Sequence, residues 1–585
     1  MTRVQSTPGA ESTPGAESTP GVESTPGVES TPGVESTPGV ESTPGAESTP
    51  GVESTPGVES TPGTQTTAGS PPTPGSRLAA ESRRPPEGYL GTGARITSGP
   101  APELVEAGYA LEIADAPLLH RGLTLADLAH LVELVECGAL RRDEAAPLCA
   151  VLLDLLDSPA AEFPYDPVYG DAFNSREREL EKTLGPAAGR VHLGRTRREA
   201  GRIAFRLAAR GKLLGLHADV AAFASEVSAL AADHAGALWA DSTYLQPAQP
   251  STFGHYLGGF AEQAVRNLDR IEAAYRGVDA SPAGAGGVGG ARLPLDRARL
   301  AGLLGFGSVG AHTRDAMWSV DVLADAVTAA VQAVSTIGQL AADLEIFASP
   351  AFGYVTLDAS LCRASVLMPQ KRNPYALPVL RGGAGTLIGR LAGLLATGLT
   401  PSARTDNWLY AYGEVAGALD LAGRLVRLGS TVVAGLTPDT AVLAEQAASH
   451  FTSAADLAEE LSLRFRLDYR TAYRVVGRAV ATAISRGDTE LTVPMVRAAA
   501  EEITGAPVPI TADMLTAATD PVSAVSARDA LGGASPRRVR EHARRVRRRV
   551  AAARQWNSDR RARIAQAESD LVAAAHSLTS EQAHE

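Results

Sequence analysis

"RIAFRLAARGKLLGLHADVAAFASEVSALAADHA", Arg202 to Ala235, decides the fold. It is long and alanine-rich, and its apolar residues cover much of a helical circumference rather than one stripe, so a helix built from it must be buried on several sides. "FAEQAVRNLDRIEAAYRG" (Phe260 to Gly277) and "DAVTAAVQAVSTIGQLAADLEIFA" (Asp325 to Ala348) repeat the pattern. Helices of this kind cover one another only in a bundle. Alternating β-branched runs bounded by turn residues are nearly absent, so an α/β architecture has little to build on. The expectation is an all-α core with the irregular motifs on loops between helices. Upstream, "LTLADLAHLVELVECGAL" (Leu123 to Leu140) places Thr124 and Asp127 at capping-box spacing and a glycine at Gly138. It therefore predicts a helix opening at Thr124 and stopping at Gly138.

Composition narrows the class. The chain has 585 residues, a hydrophobic content of 44 % and a formal net charge of −12. That charge argues against general nucleic-acid affinity. Cys137, Cys149 and Cys362 form an odd set without CxxC or metal-ligand spacing. Neither a disulfide framework nor a metal site is indicated, and a reducing cytoplasm fits best. The opening "MTRVQSTPGAESTPG" lacks the apolar core of a signal peptide, and later apolar runs look too charged to span a bilayer. A cytoplasmic protein without a membrane partner is expected. From Ser6 to Gly63 the chain repeats STPGAE or STPGVE with a period of six. Proline and glycine in every repeat disfavour helix and ladder alike, so a disordered tail to about residue 86 is expected.

The loops between the helical stretches carry a resemblance. "VLMPQKRNP" (Val366 to Pro374) resembles the signature loop of the fumarase/aspartase superfamily. "GRVHLGRTRRE" (Gly189 to Glu199), "STYLQPAQPSTFGHYL" (Ser242 to Leu257), "SPAGAGGVGGARLPLDR" (Ser281 to Arg297) and "DPVSAVSARDALGGASPRRVRE" (Asp520 to Glu541) resemble segments of its argininosuccinate lyase branch, in the same chain order. The match runs from about Gly93 to Arg549. It implies a small N-terminal helical domain (87–205), a central long-helix bundle (206–449) with the signature loop at 356–374, a C-terminal helical domain (450–550) and a helical tail (551–585). It also implies a homotetramer whose active sites draw on three subunits, with no cofactor.

The chemistry implied is β-elimination of an N- or O-substituted succinate to release fumarate. Proton removal next to a carboxylate builds a doubly charged aci-carboxylate, which demands concentrated positive potential. By resemblance Lys371 and Asn373 hold that carboxylate, Thr243, Gln246, Arg197 and Arg198 bind substrate, and Ser365 is the base. The segment from about Thr356 to Gln370 would be a lid. The departures are specific. The second serine of the family's lid is Val366, its "THLQ" histidine is Tyr244, and its "SRND" segment reads Thr196, Arg197, Arg198, Glu199. The region that contacts arginine is "ARTDNWLY" (Ala403 to Tyr410), without the matching Tyr and Gln. Arg198, Tyr244 and Trp408 are therefore expected to shape a new leaving-group pocket, with Tyr244 assisting departure. The expectation is a lyase with altered leaving-group specificity; a non-catalytic structural member and an authentic argininosuccinate lyase are the alternatives. His255 reads as a hydrogen-bonded structural histidine, Cys362 as a small apolar filler, and the basic run Pro536 to Gln555 as a solvated helix face.

Overall fold

The computed structural model describes residues 94–580. The hexapeptide repeat and its expected disorder lie outside the described residues. N-terminal helices α1 (Ala116–Glu136), α2 (Arg142–Asp157) and α3 (Ala172–Leu184) precede the helices that organise the molecule. These are α4 (Arg197–Asp233), α5 (Phe253–Val278), α6 (Asp321–Phe347), α7 (Ala376–Gly398) and α8 (Ala411–Ala434). The all-α expectation holds.

Helix α1 differs from its reading. It starts at Ala116, two turns before Thr124, and the Thr124 hydroxyl is buried and donates to the His120 carbonyl. Asp127 is no cap either; it accepts from Arg195 and from Arg176 in the interior. The capping-box spacing was overridden because both side chains found tertiary or back-bonded partners. The stop was legible, since the helix ends at Glu136 and Gly138 takes φ 74°.

Thr196 caps α4, its hydroxyl accepting from the Glu199 amide at 3.3 Å. The helix has 37 residues, and at 1.5 Å per residue it is about 55 Å long. It runs unbroken through residue 205, so the expected boundary between N-terminal and central domains falls inside one helix. Its length and composition would suffice to cross a membrane, contrary to the reading of its scattered charges. Yet Leu213, Leu214, Val220, Phe223, Ala224 and Val227 are buried in the bundle core with residues of α5, α6, α7 and α8.

Contacts at the helix ends fix their directions. Arg206, early in α4, donates to the carbonyls of Gly277 and Ala280 at the end of α5. Arg202 lies over the ring of Trp408, just before α8. At the other end, Trp239, just past α4, packs on Phe347, the last residue of α6. The long helices thus run up and down between two ends, which collect different loops.

The C-terminal helices α9 (Ala454–Phe465), α10 (Tyr469–Arg486) and α11 (Val493–Thr504) have their own core around Leu457, Leu461, Val475 and Val496. Then α12 (Pro536–Ser580) runs back along the molecule for 45 residues. Val546 and Val550 join the bundle core, and Leu571, Ala575 and Leu578 join the core of the N-terminal helices. Its basic run is bonded within the chain: Arg537 to Asp529, Arg545 to Glu262, and Arg549 to Asp269 and Glu272.

Candidate active site

One group of site residues lies where α4 begins. Arg197 donates through Nε to Asp171 at 2.9 Å. Arg198 grips Glu112 with both Nη atoms, at 2.5 and 3.1 Å. Burial works against the Arg198 charge, but the hydrogen bonds and charge of Glu112 outweigh it and hold the guanidinium above its ordinary range. Glu112 thus neutralises the Arg198 charge within the chain. Glu199 is 1 % exposed and accepts from the amides of Gly284 and Gly286, at 2.7 and 2.5 Å. It pins the glycine-rich loop to the start of α4. The loop needs glycine here: Gly284 and Gly286 have φ of 74° and 63°, and a Cβ on Gly286 would stand 2.9 Å from the Gly290 carbonyl oxygen. Burial pushes the Glu199 carboxyl up to about 7 despite those two amides.

Arg197 and Arg198 line a small cavity of about 30 Å³ together with Glu112, Asp115, Arg202 and Trp408. Trp408, expected beside Arg198 and Tyr244, is on this wall; Tyr244 is not. Burial raises the Asp115 carboxyl to about 6, although the Gly413 amide donates to it. Sequence reasoning missed Arg202 and Asp115. Arg202 sits one turn after Arg198 on the same helix face, a spacing that was available as a signal.

The second group lies at the opposite end of the bundle. Strands β1 (Leu238–Thr243) and β2 (Gln246–Thr252) form an antiparallel hairpin in which Thr243 pairs with Gln246. Its two-residue turn is Tyr244-Leu245, with φ of 55° and 59°. Positive φ at both central positions is the hairpin geometry that normally selects Asn-Gly. Two bulky residues here hold strain, and they leave Tyr244 99 % exposed. Thr243 and Gln246 are exposed beside it. The prolines and polar residues of β2 hid this hairpin in the sequence. His255, at the start of α5, bonds through Nε2 to the Gly532 carbonyl at 3.0 Å, as its structural reading anticipates.

The signature loop is at this same end. Its base is a short pairing of β3 (Arg363–Ala364) with β4 (Arg372–Asn373), and Asn373 Nδ2 bridges to the Arg363 carbonyl at 3.0 Å. Ser365 Oγ accepts from the Met368 amide at 3.0 Å. A donor on that oxygen favours its deprotonated form, which a serine base requires. The Lys371 amide donates to the Met368 carbonyl, and the Lys371 side chain is exposed. The tip carries Val366 and Leu367 fully into solvent. Neither hairpin nor signature loop lines the cavity at Arg198.

A family model described as "Lyase" matches residues 127–389. Argininosuccinate lyase of Halobacterium salinarum is 34 % identical over 420 residues, covering 71 % of this chain and 84 % of that protein. The Methanoculleus marisnigri argininosuccinate lyase is 29 % identical over 426 residues, with the same coverage. Among solved structures, EDDS lyase in complex with formate aligns with a TM-score of 0.74 and 26 % identity, over 83 % of this chain and 98 % of that one. An EDDS lyase variant with bound fumarate aligns with the same TM-score and coverage at 27 % identity. The chain belongs to the argininosuccinate lyase branch of the fumarase/aspartase superfamily. It is a carbon–nitrogen lyase.

Proposed function

We propose that the enzyme eliminates the nitrogen group of an N-substituted succinate, or the oxygen group of an O-substituted one, to give fumarate, with a leaving group smaller than arginine. The observation that carries this reading is the cavity at Arg197 and Arg198, about 30 Å³ and walled in part by Trp408. That volume admits a few non-hydrogen atoms, not a guanidinium arm. In this reading Lys371 and Asn373 hold the succinyl carboxylate, and Ser365 takes the proton from the carbon beside it. Thr243 and Gln246 orient the substrate, Tyr244 gives a proton to the departing group, and Arg197 and Arg198 build its pocket. The fumarate and formate bound in the EDDS lyase structures are carboxylates of the size this grip would take.

Such a site needs several copies of the chain, because its parts occur at opposite ends of helices of up to about 55 Å. Helix α7 supports self-association: Val379, Ile388 and Leu395 are exposed along it, and Gly382, Gly385, Gly389 and Gly393 open space for a close neighbour. A cytoplasmic homotetramer is the assembly proposed, and sedimentation at micromolar concentration should return four times the chain mass.

The deciding experiment incubates the protein with N- and O-substituted succinates, argininosuccinate included, and follows fumarate by ultraviolet absorbance. Compact leaving groups should be released at least ~100-fold faster than arginine, as a pocket too small for one substrate discriminates by lost binding. Preference for argininosuccinate would instead make this an authentic argininosuccinate lyase. No release from any of them would end the proposal.

A further inference from the structure

Five buried arginines and the half-buried Arg198 lie in the interior of this molecule near the start of α4, and four of these six are paired with a carboxylate. Arg176 and Arg195 share Asp127, Arg198 has Glu112, and Arg210 has Asp279. Arg206 donates to the carbonyls at the C-terminal end of α5, where the helix dipole is negative. Arg202, like Arg206, forms no ion pair among the described residues, but of the two it is Arg202 that lines the cavity beside Arg198, and it is 0 % exposed. Nε donates to the Met317 carbonyl at 3.0 Å and Nη1 to the Tyr412 hydroxyl at 2.8 Å. Nη2 is buried without a partner. Trp408 at 3.9 Å, Trp318 at 5.1 Å and Tyr412 at 5.7 Å surround the guanidinium carbon. Aromatic faces offset part of the lost hydration but leave an unmatched charge and a donor unused.

The same residue lines the cavity that receives the leaving group in the function proposed above. Of the acids on that wall, Asp171 bonds to Arg197 and Glu112 to Arg198, while Asp115 stands against the Gly413 backbone. We infer that Arg202 is a specificity-determining residue whose free Nη2 binds an anionic oxygen of the leaving group, which is therefore a compact group bearing a carboxylate or an equivalent oxyanion. The inference rests on the lyase reading and adds to it the chemical class of what departs. The aromatic cage fixes the guanidinium plane and excludes water, so one charge-assisted bond there discriminates strongly between an oxyanion and a neutral isostere.

The test compares N-(carboxymethyl)aspartate with N-(carbamoylmethyl)aspartate, which differ only by carboxylate against amide on the leaving group. The wild-type tetramer should favour the carboxylate by at least ~30-fold in kcat/KM. Arg202→Met keeps an apolar chain in the cage, and the carboxylate-to-amide ratio in kcat/KM should fall to near unity. An unchanged ratio overturns the inference. Should Arg202→Met fail to fold, Arg202→Lys serves: it keeps the charge but not the planar fork, and a wild-type ratio in it is equally fatal. If wild type releases fumarate from neither compound, formate binding tests Arg202 alone. In a Lys371→Ala background, which removes the other carboxylate grip, formate should raise the melting temperature, and adding Arg202→Met should abolish that rise. A rise that persists overturns the inference.

Discussion

At the start of α4, Arg197, Arg198 and Glu199 are each bonded to a carboxylate or a loop amide of their own chain, whereas Thr243, Tyr244, Gln246 and Lys371 stand exposed at the far end of the bundle. The first end is packed: Arg197 and Arg198 are paired with carboxylates, Arg202 is left without one, and Trp408 and Tyr412 stand on the cavity wall. The second presents a strained hairpin and a loop whose apolar tip, Val366 and Leu367, is in solvent. Exposed apolar tips on rigid bases are what a surface awaiting another copy displays. Under the function proposed above, the difference assigns specificity to the packed end, where pairing and volume are fixed, and the reacting groups to the projecting end. Each chain would thus bring a pocket to one site and chemistry to another.

The largest effect tests that division. Ser365→Ala and Lys371→Ala should each lower fumarate release by at least ~10³-fold, since one loses the base and the other the charge that stabilises the aci-carboxylate. Arg197→Ala, at the other end, should also be inactive. Mixing unfolded Ser365→Ala and Arg197→Ala chains and refolding them together should restore about a quarter of wild-type activity, because a site needing one intact part from each of two chains finds both in one case of four. Absence of recovery in mixed tetramers would mean that one chain supplies both ends.

Next in size is the pair at the packed end. Arg198 and Glu112 are bidentate and mostly buried, with side chains 19 % and 14 % exposed. Arg198→Ala should cost ~2–3 kcal/mol by stranding the carboxylate, and the further change Glu112→Ala should return part of that loss. Denaturant unfolding of the two single variants and the double variant measures the coupling. Additive losses would show that the pair is idle and that Arg198 is free for an anion after all.

The fold was legible because burial on several sides leaves a compositional mark: the stretches from Arg202, Phe260 and Asp325 each correspond to one long helix, with its end within two residues of theirs. The signature loop was legible as a motif. The state of Arg198 was not, because Glu112 is 86 residues away and only the packed fold brings them together. Nor was the role of Arg202, whose cage brings together Trp318 and, 90 residues further on, Trp408 and Tyr412. The hairpin at Tyr244 stayed hidden because Tyr-Leu is not a turn dipeptide, and tertiary context overrode the local preference.

The ends should also differ in their response to pH. Glu199 titrates at about 7 in the fold against an ordinary 4.5, so the native state binds the proton more tightly than the unfolded chain does. Its contribution to stability is therefore complete below about 4.5 and is lost as pH rises through about 7, a change on the order of 3 kcal/mol. Asp115, raised to about 6, acts in the same direction. Wild type should lose melting temperature between pH 5 and 8, and Glu199→Gln should flatten most of that slope. A slope unchanged by the substitution would place the titration elsewhere.

The smallest effect probes the strain at the projecting end. Leu245 has φ 59° in a two-residue turn, a conformation that costs an L-residue about 1–2 kcal/mol and a glycine almost nothing. Leu245→Gly should therefore stabilise the isolated fold by about 1 kcal/mol, less the entropy that glycine gains when unfolded. The leucine side chain is 52 % exposed, so little burial is lost within one chain. If the hairpin inserts into a neighbouring copy, the same substitution should weaken the tetramer, because Leu245 is then an interface residue and its strain is offset by burial there. Chemical unfolding and sedimentation of Leu245→Gly separate the two. Gain in stability with unchanged assembly would mean that the strain merely presents Tyr244, and loss of assembly would mean that the turn itself docks.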